Sequence, residues 1–264
     1  MSAVKLGLVT YNIAREWDIA TLIDMCQKTG FLGVELRTTH AHGVEPELPK
    51  AQRAEVRKRF EDSGIVLWGL GTTCEFHALD QAEVERNIEL AARFCELAAD
   101  VGARGVKVRP NGLQEQAGVP AERTLEQIAR ALARCGDYAR DCGVVIWLEV
   151  HGKGTSHPPH IRKIMDLCAH PSVGVTWNCN PGTDYDESGS IAAYFNLLKP
   201  WIWSVHTHDL YSSYPWRELF ALLREMNYEG FTLAELPESS DPERVLRYHA
   251  ALWRELSGAP ADAR

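Results

Sequence analysis

The chain has 264 residues, 45% of them hydrophobic and 24% charged, and a formal charge of −8 at pH 7. That length can bury a sizeable core and fits one large α/β domain or two small ones. The acidic balance opposes generic binding to nucleic acid or to anionic membranes.

In chain order, short apolar segments alternate with amphipathic ones almost without interruption. Lys5 to Asn12 (KLGLVTYN) reads as a strand and Trp17 to Lys28 as a helix. Phe31 to Arg37 (FLGVELR) is a second strand, followed by a Pro-flanked loop and a charged helix over Ala51 to Asp62. Ile65 to Gly71 (IVLWGLG) is the third strand, and a long helix over Gln81 to Val101 starts from Asp80, a good N-cap. Ala103 to Arg109 (ARGVKVR) is the fourth, with a helix over Ala121 to Asp141 after it. The fifth lies within Gly143 to Gly152 (GVVIWLEVHG), an apolar β-branched run bounded by glycines, and a helix over Pro159 to Ala169 follows. Ser172 to Trp177, Trp201 to His206 and Phe231 to Glu235 complete the strands. Helices over Ile191 to Leu198, Pro215 to Met226 and Pro242 to Leu256 follow them in turn.

Eight strand–helix units in this length predict a single (β/α)8 TIM barrel spanning residues 1–264. A doubly wound sheet would more often show a glycine-rich phosphate loop after its first strand, and none occurs. No linker or low-complexity tract marks a second domain. No apolar run approaches the roughly 20 residues that a membrane-spanning helix needs. The opening MSAVKLGLVT lacks a charged stretch followed by a long apolar one, so no signal peptide is expected. Seven scattered cysteines without a CxxC pair lead us to expect reduced thiols in a cytoplasmic protein.

In such barrels the active site lies at the C-terminal ends of the strands. Glu149 and His151 end the fifth strand on one face, because strand side chains alternate. A carboxylate ending an apolar strand is costly unless compensated, by a basic neighbour at the rim or by a metal or catalytic task. Other strand ends carry Glu35 and Arg37, Lys107 and Arg109, Asn178, His206 and His208, and Glu235, with His40, His42, Glu75 and His77 just beyond. The opposite strand ends are mostly Gly, Ala, Ser and apolar residues. Rim ion pairs explain any single pair, but they explain the one-sided gathering poorly. Arg37, Lys107 and Arg109, with His40 and His42 near them, would form a cationic wall suited to a carboxylate, a phosphate or a polyhydroxylated group. The competing reading pairs these cations with Glu35 and Glu75. Trp68, Trp147, Trp177, Trp203 and Trp216 are expected to be mostly core or pocket wall, one or two of them available to stack on a sugar face.

The segments GVELR, GVKVRPNG, WLEVHG, WSVHTHD and GFTLAE, in this order on successive strands, resemble the xylose isomerase-like barrel superfamily of sugar isomerases and epimerases. Hydroxypyruvate isomerases, tagatose epimerases and endonuclease IV are also members, and the resemblance covers essentially the whole chain. It implies one divalent cation (Mn, Mg, Co or Zn) held by Glu149, Asn178, His206 and Glu235. Asn178 stands where the family generally has Asp, and Pro181 where many members place a His. An Asn carbonyl can ligate a hard cation but removes one negative charge, and Asp184 is a substitute if its loop folds back. The resemblance gives Glu149 and Glu235 acid–base roles as well. By position and charge, Arg37, His40, His42, Lys107, Arg109, His151 and His208 are read as substrate contacts, with His40 and His42 alternatively extra ligands and Asp209 orienting a ligand or capping the next segment.

The expected activity is therefore isomerisation or epimerisation of a small ketose, sugar phosphate or sugar acid through an enediolate. Elimination of a β-substituent at the same site is the alternative. Endonuclease IV-like repair and non-catalytic sugar binding stand further off, since repair needs several zinc ions and a basic groove. A small-molecule partner is expected, without nucleic acid or membrane. Tyr211, Tyr214 and Trp216, read as exposed after the seventh strand, are expected to offer a contact between copies.

Overall fold

The apolar segments are short, β-branched and buried on both faces, which is the pattern of parallel strands enclosed by helices. In a computed structural model, which describes residues 4–258, they form β1 (Lys5–Val9), β2 (Gly33–Arg37), β3 (Val66–Glu75), β4 (Gly105–Arg109), β5 (Val145–Glu149), β6 (Val173–Trp177), β7 (Ile202–Thr207) and β8 (Phe231–Ala234). Neighbours in sequence pair in parallel, and β8 pairs with β1, so the sheet closes into a barrel. Eight helices surround it: α1 (Ile19–Thr29), α2 (Lys50–Ser63), α3 (Gln81–Val101), α4 (Ala121–Cys142), α5 (Pro158–Cys168), α6 (Ala192–Leu198), α7 (Trp216–Glu225) and α8 (Pro242–Ser257). The chain is the (β/α)8 barrel that its alternation predicts. Residues 1–3 and 259–264, part of the expected domain, lie outside the described residues.

Local chemistry sets the helix starts. Asp18 accepts the Thr21 amide at 2.8 Å and Asp80 that of Ala82 at 2.9 Å, satisfying donors that the first turn leaves open. On α4, Leu125, Ile128, Ala129, Leu132, Cys135 and Ala139 recur at helical spacing and are all buried against the barrel. Two strands end several residues away from where they are expected. β1 stops at Val9 because Asn12–Ala14 coil into a 3-10 turn, and β3 runs to Glu75 because that residue still pairs with Arg109 of β4. All seven cysteines are free thiols, six of them buried, and desolvation pushes Cys26 up to about 12. No helix among the described residues is long and apolar enough to cross a membrane.

The barrel interior is split between two chemistries. Its N-terminal half is filled by aromatic rings: Trp68 stacks on Trp147 with centroids 5.3 Å apart and meets Phe231 at 5.2 Å. Trp203 sits where only a glycine allows it, since a Cβ at Gly174 would lie 2.3 Å from its ring. Beneath these rings a cavity of about 690 Å³ opens at the N-terminal face. The ionisable residues collect at the C-terminal end, where a second cavity of about 320 Å³ lies. Of the two, only the smaller is lined by several acids and imidazoles together.

Candidate active site

Glu149 ends β5 and is 3% exposed. Its Oε2 accepts from Lys107 Nζ of β4 at 2.7 Å. Its Oε1 lies 3.4 Å from His206 Nδ1 of β7, without a formed hydrogen bond. His206 is fully buried, and its Nε2 donates to Glu35 Oε2 of β2 at 3.1 Å. Glu35 fits because β3 places Gly71 beside it: a Cβ there would lie 2.6 Å from Glu35 Oε1. Glu235 follows β8, positioned by the hydrogen bond that its backbone N–H donates to the Thr207 carbonyl at 2.7 Å. Its two oxygens are each 3.8 Å from a basic group, Arg37 Nη1 and His208 Nδ1. Ligand atoms of Glu149, His206 and Glu235 all lie within 4.8 Å of one another.

Electrostatics follow from this packing. Burial works against ionising Glu149, but the Lys107 ammonium and His206 outweigh it and hold the carboxyl well below the usual range. Burial likewise opposes a charged His206, yet Glu35 and Glu149 on either side raise its affinity for a proton. A metal held there would displace that proton from Nδ1 while Nε2 kept its bond to Glu35.

Asn178 lies just past β6, 4% exposed, and lines the same cavity. Its Nδ2 donates to Asn180 Oδ1 at 3.3 Å, while its Oδ1 is buried with no hydrogen-bond partner. His206 Nδ1 is buried and unpartnered as well. A carbonyl oxygen and an imidazole nitrogen left open beside two carboxylates form a donor set that a single divalent cation would satisfy. Glu149, Asn178, His206 and Glu235 therefore fit such an ion. Asp184 does not join them: its Oδ2 accepts from the Asn180 amide at 2.7 Å and the Tyr214 hydroxyl at 2.8 Å. The loop folds back onto Tyr214, so the expectation of Asp184 as a substitute ligand is corrected.

The basic residues are distributed differently from an open cationic wall. Lys107 is buried at the cavity floor against Glu149, not against Glu35 or Glu75. Arg109 is paired with Glu75 on the neighbouring strand. Arg37 lies over the Tyr11 ring at 4.9 Å and faces Glu235. All three still line the cavity, with His151 and His208. His151 Nδ1 is 2.8 Å from Asn111 Oδ1, and burial lowers its affinity for a proton. His208 Nε2 donates to the Asn178 carbonyl at 2.9 Å.

His40 and His42 lie outside that lining. His42 donates from Nε2 to the Arg37 carbonyl at 2.8 Å and accepts the Val44 amide on Nδ1 at 3.0 Å, so both ring nitrogens brace the loop. His40 Nδ1 is 3.1 Å from Thr10 Oγ1, and burial, followed by His42 and Arg37, pushes it down to about 4. The tryptophans are mostly core, as expected, and none of them lines this cavity. Trp68, Trp147 and Trp203 fill the opposite half of the barrel, and Trp177 and Trp216 are buried. The aromatic ring in the cavity wall is Tyr11. Tyr214 and Trp216, expected at the surface, are each 4% exposed, leaving Tyr211 alone of that trio exposed.

Two contributors, Tyr11 and Asn180, and the partner of a third escaped sequence reasoning. Glu35 was visible as a strand-end acid in an i, i+2 pair with Arg37, but its bond to His206 was not. Tyr11 and Asn180 carried no signal beyond their nearness to strand ends.

Residues 23–256 match the family described as xylose isomerase-like TIM barrel, and the chain belongs to that family. No curated protein matches it in sequence. Among solved structures it is similar to a D-psicose 3-epimerase crystallised in the presence of D-fructose, with TM-score 0.80, 18% identity, and 97% of this chain and 100% of that one covered. It is also similar to the 3-keto-D-glucoside 4-epimerase YcjR from E. coli (TM-score 0.78, 17% identity, coverage 96% and 99%). The probable 3-DHS dehydratase AsbF from Bacillus anthracis aligns with TM-score 0.72 and 13% identity over 94% of this chain and 98% of that one. At these identities the likeness is one of fold.

Proposed function

We propose that this member of the xylose isomerase-like barrel family is a divalent-metal-dependent isomerase or epimerase of a small ketose, sugar phosphate or sugar acid. One observation carries the reading: Glu149, His206 and Glu235, from three strand ends, bring ligand atoms within 4.8 Å of one another. A bound dication supplies charge stabilisation for the enediolate that forms when a proton leaves the carbon next to a carbonyl. Glu149 and Glu235 are the acid–base pair, one removing that proton and the other returning one. Lys107 takes Glu149 Oε2, which leaves Oε1 toward the reacting centre. Arg37, Arg109, His151 and His208 hold the hydroxyl and any anionic groups of the substrate. His40 and His42 act one step removed, by bracing the loop that follows Arg37 at the end of β2.

The sugar epimerases among the similar folds support this reading, as does a cavity of about 320 Å³, suited to a single sugar unit. The dehydratase among them keeps elimination as the second reading, in which the Lys107 ammonium beside Glu149 could protonate a departing hydroxyl. The formal charge of −8 weighs against a nucleic-acid substrate. The test is incubation of the Mn²⁺-supplemented protein with ketoses, sugar acids and 3-keto sugars in D2O, followed by NMR. Deuterium at the carbon next to the carbonyl with a new isomer is the expected result. A new carbon–carbon double bond would select elimination, and protein that binds no cation with or without any sugar overturns the reading.

A further inference from the structure

Both carboxylates that could hold a cation already face a cationic side chain. Glu149 Oε2 is 2.7 Å from Lys107 Nζ, both groups buried, and Glu235 Oε1 is 3.8 Å from Arg37 Nη1. Asn178 adds an open carbonyl oxygen but no charge. Two negative charges therefore meet two positive ones, and these two pairs are formally neutral before any ion arrives. Lys107 matters most, because at 3% exposure its charge is poorly screened by solvent ions. It also occupies one oxygen of Glu149, leaving Oε1 as the oxygen on the His206 side. A dication entering this site gains less from the carboxylates than their number suggests and is repelled by the ammonium beside them.

Resting on the metal reading above, we propose that Lys107 is a positioning residue that makes dication binding conditional on a small anionic sugar, one carrying a carboxylate or a phosphate. With the ion alone, the site holds an excess of positive charge. An anionic substrate in the same cavity, against Arg37 and Arg109, removes that excess. Each ligand then tightens the other by the same factor, as linkage requires. A neutral ketose of equal size offers oxygens but no charge, and the coupling is lost.

The test is calorimetric titration of Mn²⁺ into the full chain, alone and with saturating D-gluconate, D-fructose 6-phosphate or neutral D-fructose. The expected result is that gluconate or the phosphate ester tightens Mn²⁺ on the order of tenfold and fructose does not. Which of the two anions does so tells carboxylate from phosphate. In Lys107→Met, Mn²⁺ alone binds on the order of tenfold more tightly and the further gain from the anion shrinks. That variant leaves Glu149 buried without its partner, so Asn178→Asp, which adds a charge with Lys107 in place, is measured beside it and moves in the same direction. The inference is overturned if neither anion outdoes fructose in the wild type, or if folded Lys107→Met binds Mn²⁺ no more tightly. Loss of Mn²⁺ binding in the wild type and both variants under every condition would instead remove the metal reading on which it rests.

Discussion

His206 and Glu35 are joined by a 3.1 Å hydrogen bond in which neither side chain has any solvent exposure. The bond commits Nε2 and leaves Nδ1 on the side of Glu149. A carboxylate behind an imidazole fixes both the ring's orientation and the nitrogen that carries the proton.

Replacing Glu35 by Gln keeps the shape and removes the charge. Cation affinity and kcat/KM are expected to fall about 10–100-fold, with circular dichroism unchanged. Mn²⁺ titration checks this, and an affinity equal to wild type would show that Glu35 does not act through His206.

Glu149→Gln and Glu235→Gln are each expected to abolish turnover, and they should differ in stability. Glu149→Gln strands the Lys107 ammonium at a buried position, which costs about 3–5 kcal/mol. Glu235 faces Arg37 and His208 only at 3.8 Å, so its loss is expected to leave the melting temperature near that of wild type. Denaturant unfolding of the two variants measures the contrast, and equal midpoints would contradict the buried pair.

Asp184 is a buried acid whose desolvation, partly offset by bonds from Tyr214 and Asn180, pushes its pKa from 3.8 to about 7. Below pH 4 both folded and unfolded chains hold the proton, and the group contributes no pH dependence. As the pH rises from about 4 to about 7 the unfolded chain releases the proton first, so stability falls across that window. Asp184→Asn abolishes this slope. Relative to wild type, it should be more stable at pH 8 than at pH 5 by roughly 2–3 kcal/mol, read from paired unfolding curves.

His42→Ala removes both an acceptor for the Val44 amide and a donor to the Arg37 carbonyl. A loss of about 1–3 kcal/mol is expected. Because the loop then holds Arg37 less firmly, KM should rise more than kcat falls. A fall in kcat alone, with KM unchanged, would place His42 in the chemistry instead.

The barrel was readable because short apolar runs alternate with helix-period segments and end in polar residues on one side only. Glu149, His206 and Glu235 could be expected at one mouth for that reason. Their partners could not. Lys107 reaches Glu149 through the register that sets Lys107 beside Trp147, and register is a property of the closed sheet. Glu35 and His206 are 171 residues apart and meet across the barrel interior. The direction of the loop after Asn178 depends on the Asp184–Tyr214 bond, which also draws Tyr214 out of the solvent where a local reading had put it.

The rings of Trp68, Trp147, Trp203 and Phe231 fill the lower barrel like a stopper. With the lower barrel filled in this way, a sugar bound as proposed above would have to leave by the mouth through which it entered. Departure and arrival would then exclude one another, and accumulated product would slow turnover by simple occupancy.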